Sequence, residues 1–190
     1  PGQMEDLLQP GRDIVCAGYT IYGSSNMLVY SMGDSVHGFT LDTAIGEFFL
    51  SHENIKIPTS GDTYSVNEGN YHKWSPEVRS WVDAVKKPNG DRKSCSLRYI
   101  GAMVADFHRT LLRGGIFAYP ADAKNTSGKL RLLYEASPLS FVAEAAGGAA
   151  SSGTERILDI EPTELHQRTP LFIGSSKSVE EAVAHLNGKV

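Results

Sequence analysis

The chain has 190 residues, enough for one domain with a well-filled core or at most two small ones. Apolar residues make up 41% and charged residues 21%, an ordinary globular balance, and a net charge of −4 argues against a nucleic-acid-binding surface as the main function. No apolar run approaches the roughly 20 residues that span a bilayer, and no signal peptide opens the chain. Cys16 and Cys95 have no metal-ligand spacing and fit small buried or half-buried thiols in a reducing compartment. The start, Pro1-Gly2-Gln3, lacks a methionine, as a fragment or a processed chain would.

Residues 1–13 are polar and read as a lead-in, with the folded domain expected over 14–190. Four β-rich runs follow, at 15–22, 27–32, 36–41 and 47–51, separated by short turn-forming segments. Connections this short favour antiparallel hairpins over βαβ crossovers, so a four-stranded meander is expected. Phe39, Leu41, Phe48 and Leu50 alternate with smaller or polar residues, as a sheet with one covered face requires. Residues 52–74 read as loop, and Asn67-Glu68-Gly69-Asn70 within them is turn chemistry.

Ser75-Pro76-Glu77 is a strong helix start, and Pro88-Asn89-Gly90 closes that helix. A second helix is expected from Met103 to Arg113, stopped by Gly114-Gly115. Ile116–Tyr119 reads as a buried strand ending in a tyrosine hydroxyl. For residues 130–135 the pattern leans to helix, followed by another helix over 138–146. Strands are expected at 157–160 and 171–174, then a last helix capped by Ser178 and ending at Gly188. The fold class is therefore α/β, a mixed sheet that begins as an antiparallel meander and is covered by helices.

The chemistry concentrates in Lys129-Leu-Arg-Leu-Leu-Tyr-Glu135. Arg131 and Glu135 share a face as a helix; Lys129, Arg131, Leu133 and Glu135 share one as a strand. A cation beside an anion suits a site for phosphate and a divalent metal, but spacing alone favours a solvated ion pair. His108 reads as structural, and Asp106 and Arg109 as an intrahelical pair. The six histidines form no zinc spacing, and no serine sits in a nucleophile elbow. Tyrosines and cations do recur near element ends: Arg98-Tyr99, Tyr119, Lys124, Lys129 and Arg131. Arginine forks, lysine point charges and neutral hydroxyls together suit an anionic small ligand.

Several segments together resemble class I fructose-1,6-bisphosphatase. They are Gly18-Tyr-Thr-Ile-Tyr-Gly23, Leu41-Asp-Thr-Ala-Ile-Gly-Glu47, Asn67-Glu-Gly69, Arg98-Tyr-Ile-Gly-Ala-Met-Val-Ala-Asp106, Gly115-Ile-Phe-Ala-Tyr-Pro120, Gly128-Lys-Leu-Arg-Leu-Leu-Tyr-Glu135 and His166-Gln-Arg168. The likeness runs from about residue 8 to the end and covers the C-terminal half of the family's chain. The family's Asp-Pro-Leu-Asp-Gly-Ser metal segment, its other acidic ligands and its AMP site have no counterpart here.

The resemblance implies a sugar phosphatase fold and a sugar-phosphate-binding domain over 14–190. It also implies metal-dependent hydrolysis of fructose 1,6-bisphosphate to fructose 6-phosphate, completed by an N-terminal half. Asn67, Arg98, Tyr99 and Tyr119 are expected on the 6-phosphate, with Glu68 and Gly69 in the same turn. Lys129 is expected on the furanose, with Arg131 beside it and Gly101 and Met103 lining the pocket. Glu135 is the one expected ligand for Mg2+ or Mn2+. Lys124 is a further candidate. Asn70 stands where the family usually has a tyrosine, so either Tyr71 substitutes or one hydroxyl donor is lost. A cytoplasmic homotetramer, with Arg98 reaching a neighbouring subunit, is implied too. The alternatives are a binding module inactive without the other half, or a phosphatase acting on sedoheptulose bisphosphate.

Overall fold

The computed structural model describes residues 2–89 and 93–189. After a short helix α1 (Met4–Leu7) come four strands: β1 (Ala17–Ile21), β2 (Met27–Ser31), β3 (Val36–Asp42) and β4 (Glu47–His52). They pair antiparallel in the order β1-β2-β3-β4, the meander that the short turns dictate. The covered face, however, is the opposite of the expected one. Register places Phe39 against Leu50 and Leu41 against Phe48, but Phe48 and Leu50 are 42% and 51% exposed. The buried positions of β2 and β3 are Met27, Val29, Ser31, Val36 and Gly38. Smaller residues face inward because helices must approach the sheet closely there. Phe39 stacks on Tyr30 on the outer side, ring centroids 5.5 Å apart.

The expected loop at 52–74 contains β5 (Thr63–Ser65) and a 3-10 turn over Glu68–Lys73. Helix α2 (Pro76–Val85) follows, with the Ser75 hydroxyl accepting from the Val78 amide as its cap. Gly90, part of the expected helix stop, lies outside the described residues. Then come β6 (Ser96–Leu97), α3 (Met103–Arg113), β7 (Ile116–Tyr119), β8 (Leu130–Arg131), α4 (Ser137–Ala145), β9 (Ala149–Ser151), β10 (Arg168–Thr169), β11 (Leu171–Gly174) and α5 (Ser176–Leu186). Gly114 ends α3 at φ +78°, a left-handed turn that glycine adopts without penalty.

Three sheets replace the single one expected. β8 and β10 form a two-stranded ribbon, and five strands pair in the order β6-β5-β7-β11-β9. Within the larger sheet β6, β5 and β7 run parallel while β11 is antiparallel to β7 and β9. Residues alternate between its two faces. Phe117, Leu171 and Ile173 join a core with α3, α4 and the meander; Ile116, Ala118 and Phe172 join a second core with α2 and α5. Helices α3 and α4 thus lie between the two larger sheets. No helix of the described residues is long and apolar enough to cross a membrane.

Three further expectations fail for identifiable reasons. Residues 130–131 are strand because β10 pairs with them, and Leu132 donates to the Gln167 carbonyl at 2.7 Å; helical winding starts only at Leu132, as a wide π turn that runs into α4. Residues 157–159 form a 3-10 turn rather than a strand. The last helix begins at Ser176, so Ser178 lies inside it and caps nothing. Ser175, just before it, is fully buried and spent elsewhere: its hydroxyl donates to the Pro58 carbonyl at 2.5 Å and accepts from the Gly115 amide at 3.0 Å. Cys16 is exposed and Cys95 half-buried, both as free thiols.

Tyr19 of β1 joins the meander to α3, its hydroxyl 2.9 Å from His108 Nδ1 and its ring edge-on to Phe107. Burial raises the Tyr19 phenol, so the tyrosine donates and the neutral imidazole accepts. Burial, then the nearby His52, lowers the His108 pKa. Stability should therefore be complete above about pH 6.5, the ordinary histidine value. It should decline as pH falls, because the unfolded chain takes up a proton that folded His108 resists. Urea denaturation between pH 8 and pH 5 should show this decline, and His108→Gln, which keeps an acceptor, should flatten it. An equally steep decline in the variant would contradict the assignment.

Candidate functional site

The parallel pairing of β5 with β7 sets the site. Ser65 lies opposite Phe117, so the chain emerging from β5 reaches Asn67 as β7 reaches Tyr119. A small cleft opens there, lined by Val66, Asn67, Asn70, Trp74, Ala118, Tyr119, Pro120 and Asp122. β6 is the other parallel neighbour of β5, and the Arg98 amide donates to the Tyr64 carbonyl at 2.9 Å. Arg98 and Tyr99 therefore leave the sheet at the same edge. Crevices at the carboxyl ends of parallel strands are the usual ligand sites of such sheets, since loops diverge there.

Asn67 opens the 3-10 turn, its side-chain oxygen accepting from the Gly69 amide at 3.1 Å. This fixes the Asn67 amide and places Gly69 in support of it. Tyr99 is half-buried against the main core, and its phenol is pushed up by burial and then by Tyr119 and Asp106. It remains a hydroxyl donor at neutral pH. Gly101 sits at φ +86° and Met103 is half-buried against the core. Arg98 is exposed, with Nη1 turned back onto the Leu97 carbonyl at 2.9 Å.

Glu68 and Tyr71 point elsewhere. The Glu68 carboxylate accepts from the Tyr64 hydroxyl at 2.5 Å and pairs with Lys86 at 2.7 Å. The Tyr71 hydroxyl donates to Asp83 of α2 at 2.6 Å, and its ring lies 5.4 Å from the Lys86 ammonium. Tyr71 thus does not stand in for a tyrosine at position 70. Asn70 lines the cleft itself and accepts from Lys73 at 3.0 Å.

Asp122, which sequence reasoning missed, organises the next loop. Burial raises its pKa, but hydrogen bonds from Asn125 and the Lys124 amide, with the charge of Lys129, outweigh this and hold it low. The loop leads to Lys129, whose side chain is exposed and whose carbonyl accepts from Arg168 Nη1 at 2.6 Å. Arg168, quoted within the His166-Gln-Arg168 segment but given no site role, lies opposite Arg131 in the β8–β10 ribbon. Glu135 turns its carboxylate back on its own segment: Oε2 accepts from the Arg131 amide at 2.7 Å and stands 3.7 Å from Arg131 Nη1.

Family models match most of the chain. Residues 57–187 match the fructose-1,6-bisphosphatase C-terminal domain and residues 1–53 the N-terminal domain. This chain belongs to the class 1 fructose-1,6-bisphosphatase family. It is 58% identical over 183 residues to the class 1 enzyme of Chloroherpeton thalassium, covering 96% of this chain and 52% of that one. The cytosolic rice enzyme of subspecies indica is 55% identical over 178 residues, 94% of this chain and 52% of that relative. The solved holo form of Leishmania major fructose-1,6-bisphosphatase superposes with a TM-score of 0.92 at 49% identity, over 97% of this chain and 59% of that one. The chain thus spans about half the length of the curated relatives it matches. The two family models meet between residues 53 and 57. That seam falls between the meander and the five-stranded sheet.

Removing the Glu135 carboxylate leaves the Arg131 amide without its acceptor where the turn begins. Glu135→Ala should destabilise the fold by about 1 kcal/mol, discounted for partial exposure. A urea midpoint equal to that of the unmodified chain would contradict this structural part of its role.

Proposed function

We propose that the cleft holds the 6-phosphate of a fructose phosphate, and that this chain is the sugar-phosphate-binding part of an enzyme hydrolysing fructose 1,6-bisphosphate to fructose 6-phosphate. The observation that carries this reading is that Asn67 and Tyr119 line one cleft at the carboxyl ends of parallel strands. Tyr99 is near enough for Tyr119 to raise its phenol, and the exposed cation Arg98 leaves the sheet beside it, although neither Tyr99 nor Arg98 lines the cleft itself. A phosphate dianion takes neutral donors for orientation and cations for charge, and this edge offers both. Gly101 follows Tyr99 in the same loop and Met103 opens α3 after it. Lys129, on the exposed end of the Asp122 loop, would reach the sugar, with Lys124 in the same loop. Arg98 is exposed, as a residue shared with a second copy in a homotetramer would be. A cytoplasmic setting draws support from the name of the rice relative.

Glu135 would be this chain's contribution to a divalent cation, Mg2+ or Mn2+. Among the described residues no three of His, Cys, Asp or Glu come together to hold a metal. Hard cations of this kind take about six oxygen donors, so the residues present do not by themselves fit the ion. The remaining oxygens would come from the rest of a longer polypeptide, for which the open outer face of the meander, with Phe48 and Leu50 exposed, is an available contact. This favours a second reading, in which the chain alone binds fructose phosphates and hydrolyses nothing.

Calorimetry with fructose 6-phosphate should give saturable binding to the chain, weakened at least about tenfold in Lys129→Ala. Unchanged binding in that variant, or none in the parent chain, would sink the reading. Phosphate release from fructose 1,6-bisphosphate with Mg2+ should appear only when an N-terminal partner polypeptide is added; release by the chain alone would contradict the second reading.

A further inference from the structure

We propose that Asp106 is the positioning residue of this site: one buried carboxylate fixes both the loop that carries Arg98 and Tyr99 and the strand that leads to Asn67. The proposal rests on the reading of the cleft as a sugar-phosphate site. Asp106 lies in the first turns of α3 and is fully buried. A carboxylate with no solvent is costly unless its lone pairs are filled, and here donors from three elements fill them. The Ser65 hydroxyl of β5, itself fully buried, donates to Oδ1 at 2.8 Å. The Ile100 amide donates to Oδ1 and Oδ2 at 3.0 and 3.1 Å, and the Gly101 amide to Oδ2 at 3.0 Å. Arg109 Nη2, at 3.3 Å, completes the set.

The two successive amides can aim at one carboxylate because Gly101 turns the backbone at φ +86°, forming a concave nest for an anion. Before the clamp, the loop is held by the Arg98 amide on the Tyr64 carbonyl and by the half-buried Tyr99. At Ile100, 62% exposed, and Gly101 the polar clamp is the tether seen. Ser65 is two residues before Asn67, and Ile100 is one residue after Tyr99. The same carboxylate thus sets the spacing between phosphate donors that arrive from two different strands. Asp106 is not among the residues that line the cleft, so it acts through the groups it holds.

Asp106→Asn preserves size but offers an amino group to donors at one oxygen position. Fructose 6-phosphate binding, by calorimetry on the whole chain, should weaken by on the order of tenfold to a hundredfold, the scale of a small misplacement of binding groups. Ser65→Ala, which removes one bond, should weaken it less and in the same direction. Hydrogen exchange at the Ile100 and Gly101 amides should accelerate in Asp106→Asn. Leu111→Ala, a core truncation on the same helix, supplies the comparison: it should lower the melting temperature while leaving affinity and loop exchange unchanged. Unchanged affinity in Asp106→Asn and Ser65→Ala, or a loss no larger than that in Leu111→Ala, overturns the positioning role. If the parent chain binds no fructose 6-phosphate, the reading of the cleft falls instead. Loop exchange then decides the clamp alone, and unaccelerated exchange at Ile100 and Gly101 overturns it.

Discussion

Parallel pairing of β5 with both β6 and β7 is the constraint on which the rest of the molecule depends. Parallel strands need long connections, and those connections must pass over the sheet faces. Here they are α2 and α3, which cover opposite faces and build the two cores around Trp81 and Phe107. The same pairing makes the three strands end together, which brings residues far apart in sequence to one edge. Core formation and site formation are consequences of one register. A slip of one residue would turn Tyr119 and Asn67 away from each other and bury the wrong face of β7.

Helix α3 links these functions. Its Phe107 and Leu111 fill the core between the two larger sheets, while His108 accepts from Tyr19 of the meander. Its first turns hold the loop after β6 through the Asp106 carboxylate. A displacement of α3 would therefore be felt both by the meander and by the cleft. The meander's other face, with Phe48 and Leu50 more than 40% exposed, remains uncovered in a chain about half as long as its relatives.

Local rules made the hairpins, α2, α3, β7 and β11 legible, because turn residues, a Ser-Pro start and glycine stops act within a few positions. Long-range pairing decided the rest. Leu130 and Arg131 carry a helical pattern, yet a partner strand almost forty residues away holds them extended. Phe39, Leu41, Phe48 and Leu50 show that alternation reveals a shared face without saying which face is covered. In the site, Asn67, Tyr99 and Tyr119 were recognisable through the family resemblance, whereas spacing alone gave only a preference for an anionic ligand. Glu68 and Tyr71 belong to the turn that Asn67 opens but are drawn towards α2 by Lys86 and Asp83. Asp106 looked like half of an intrahelical pair, since the amides and hydroxyl that fill it come from other elements. Arg168 was quoted in a family segment, but its bond to the Lys129 carbonyl depends on the pairing of β8 with β10.

The central claim is that fructose 6-phosphate sits where the three parallel strands end. Mapping backbone amide shifts of the whole chain by NMR during titration with fructose 6-phosphate tests this most directly. The largest, saturable changes should fall at Asn67, Tyr99–Gly101 and Tyr119, with smaller ones at Lys129. Changes centred instead on the larger apolar groove beyond Trp74, around Val78, Phe172 and Leu186, would contradict it.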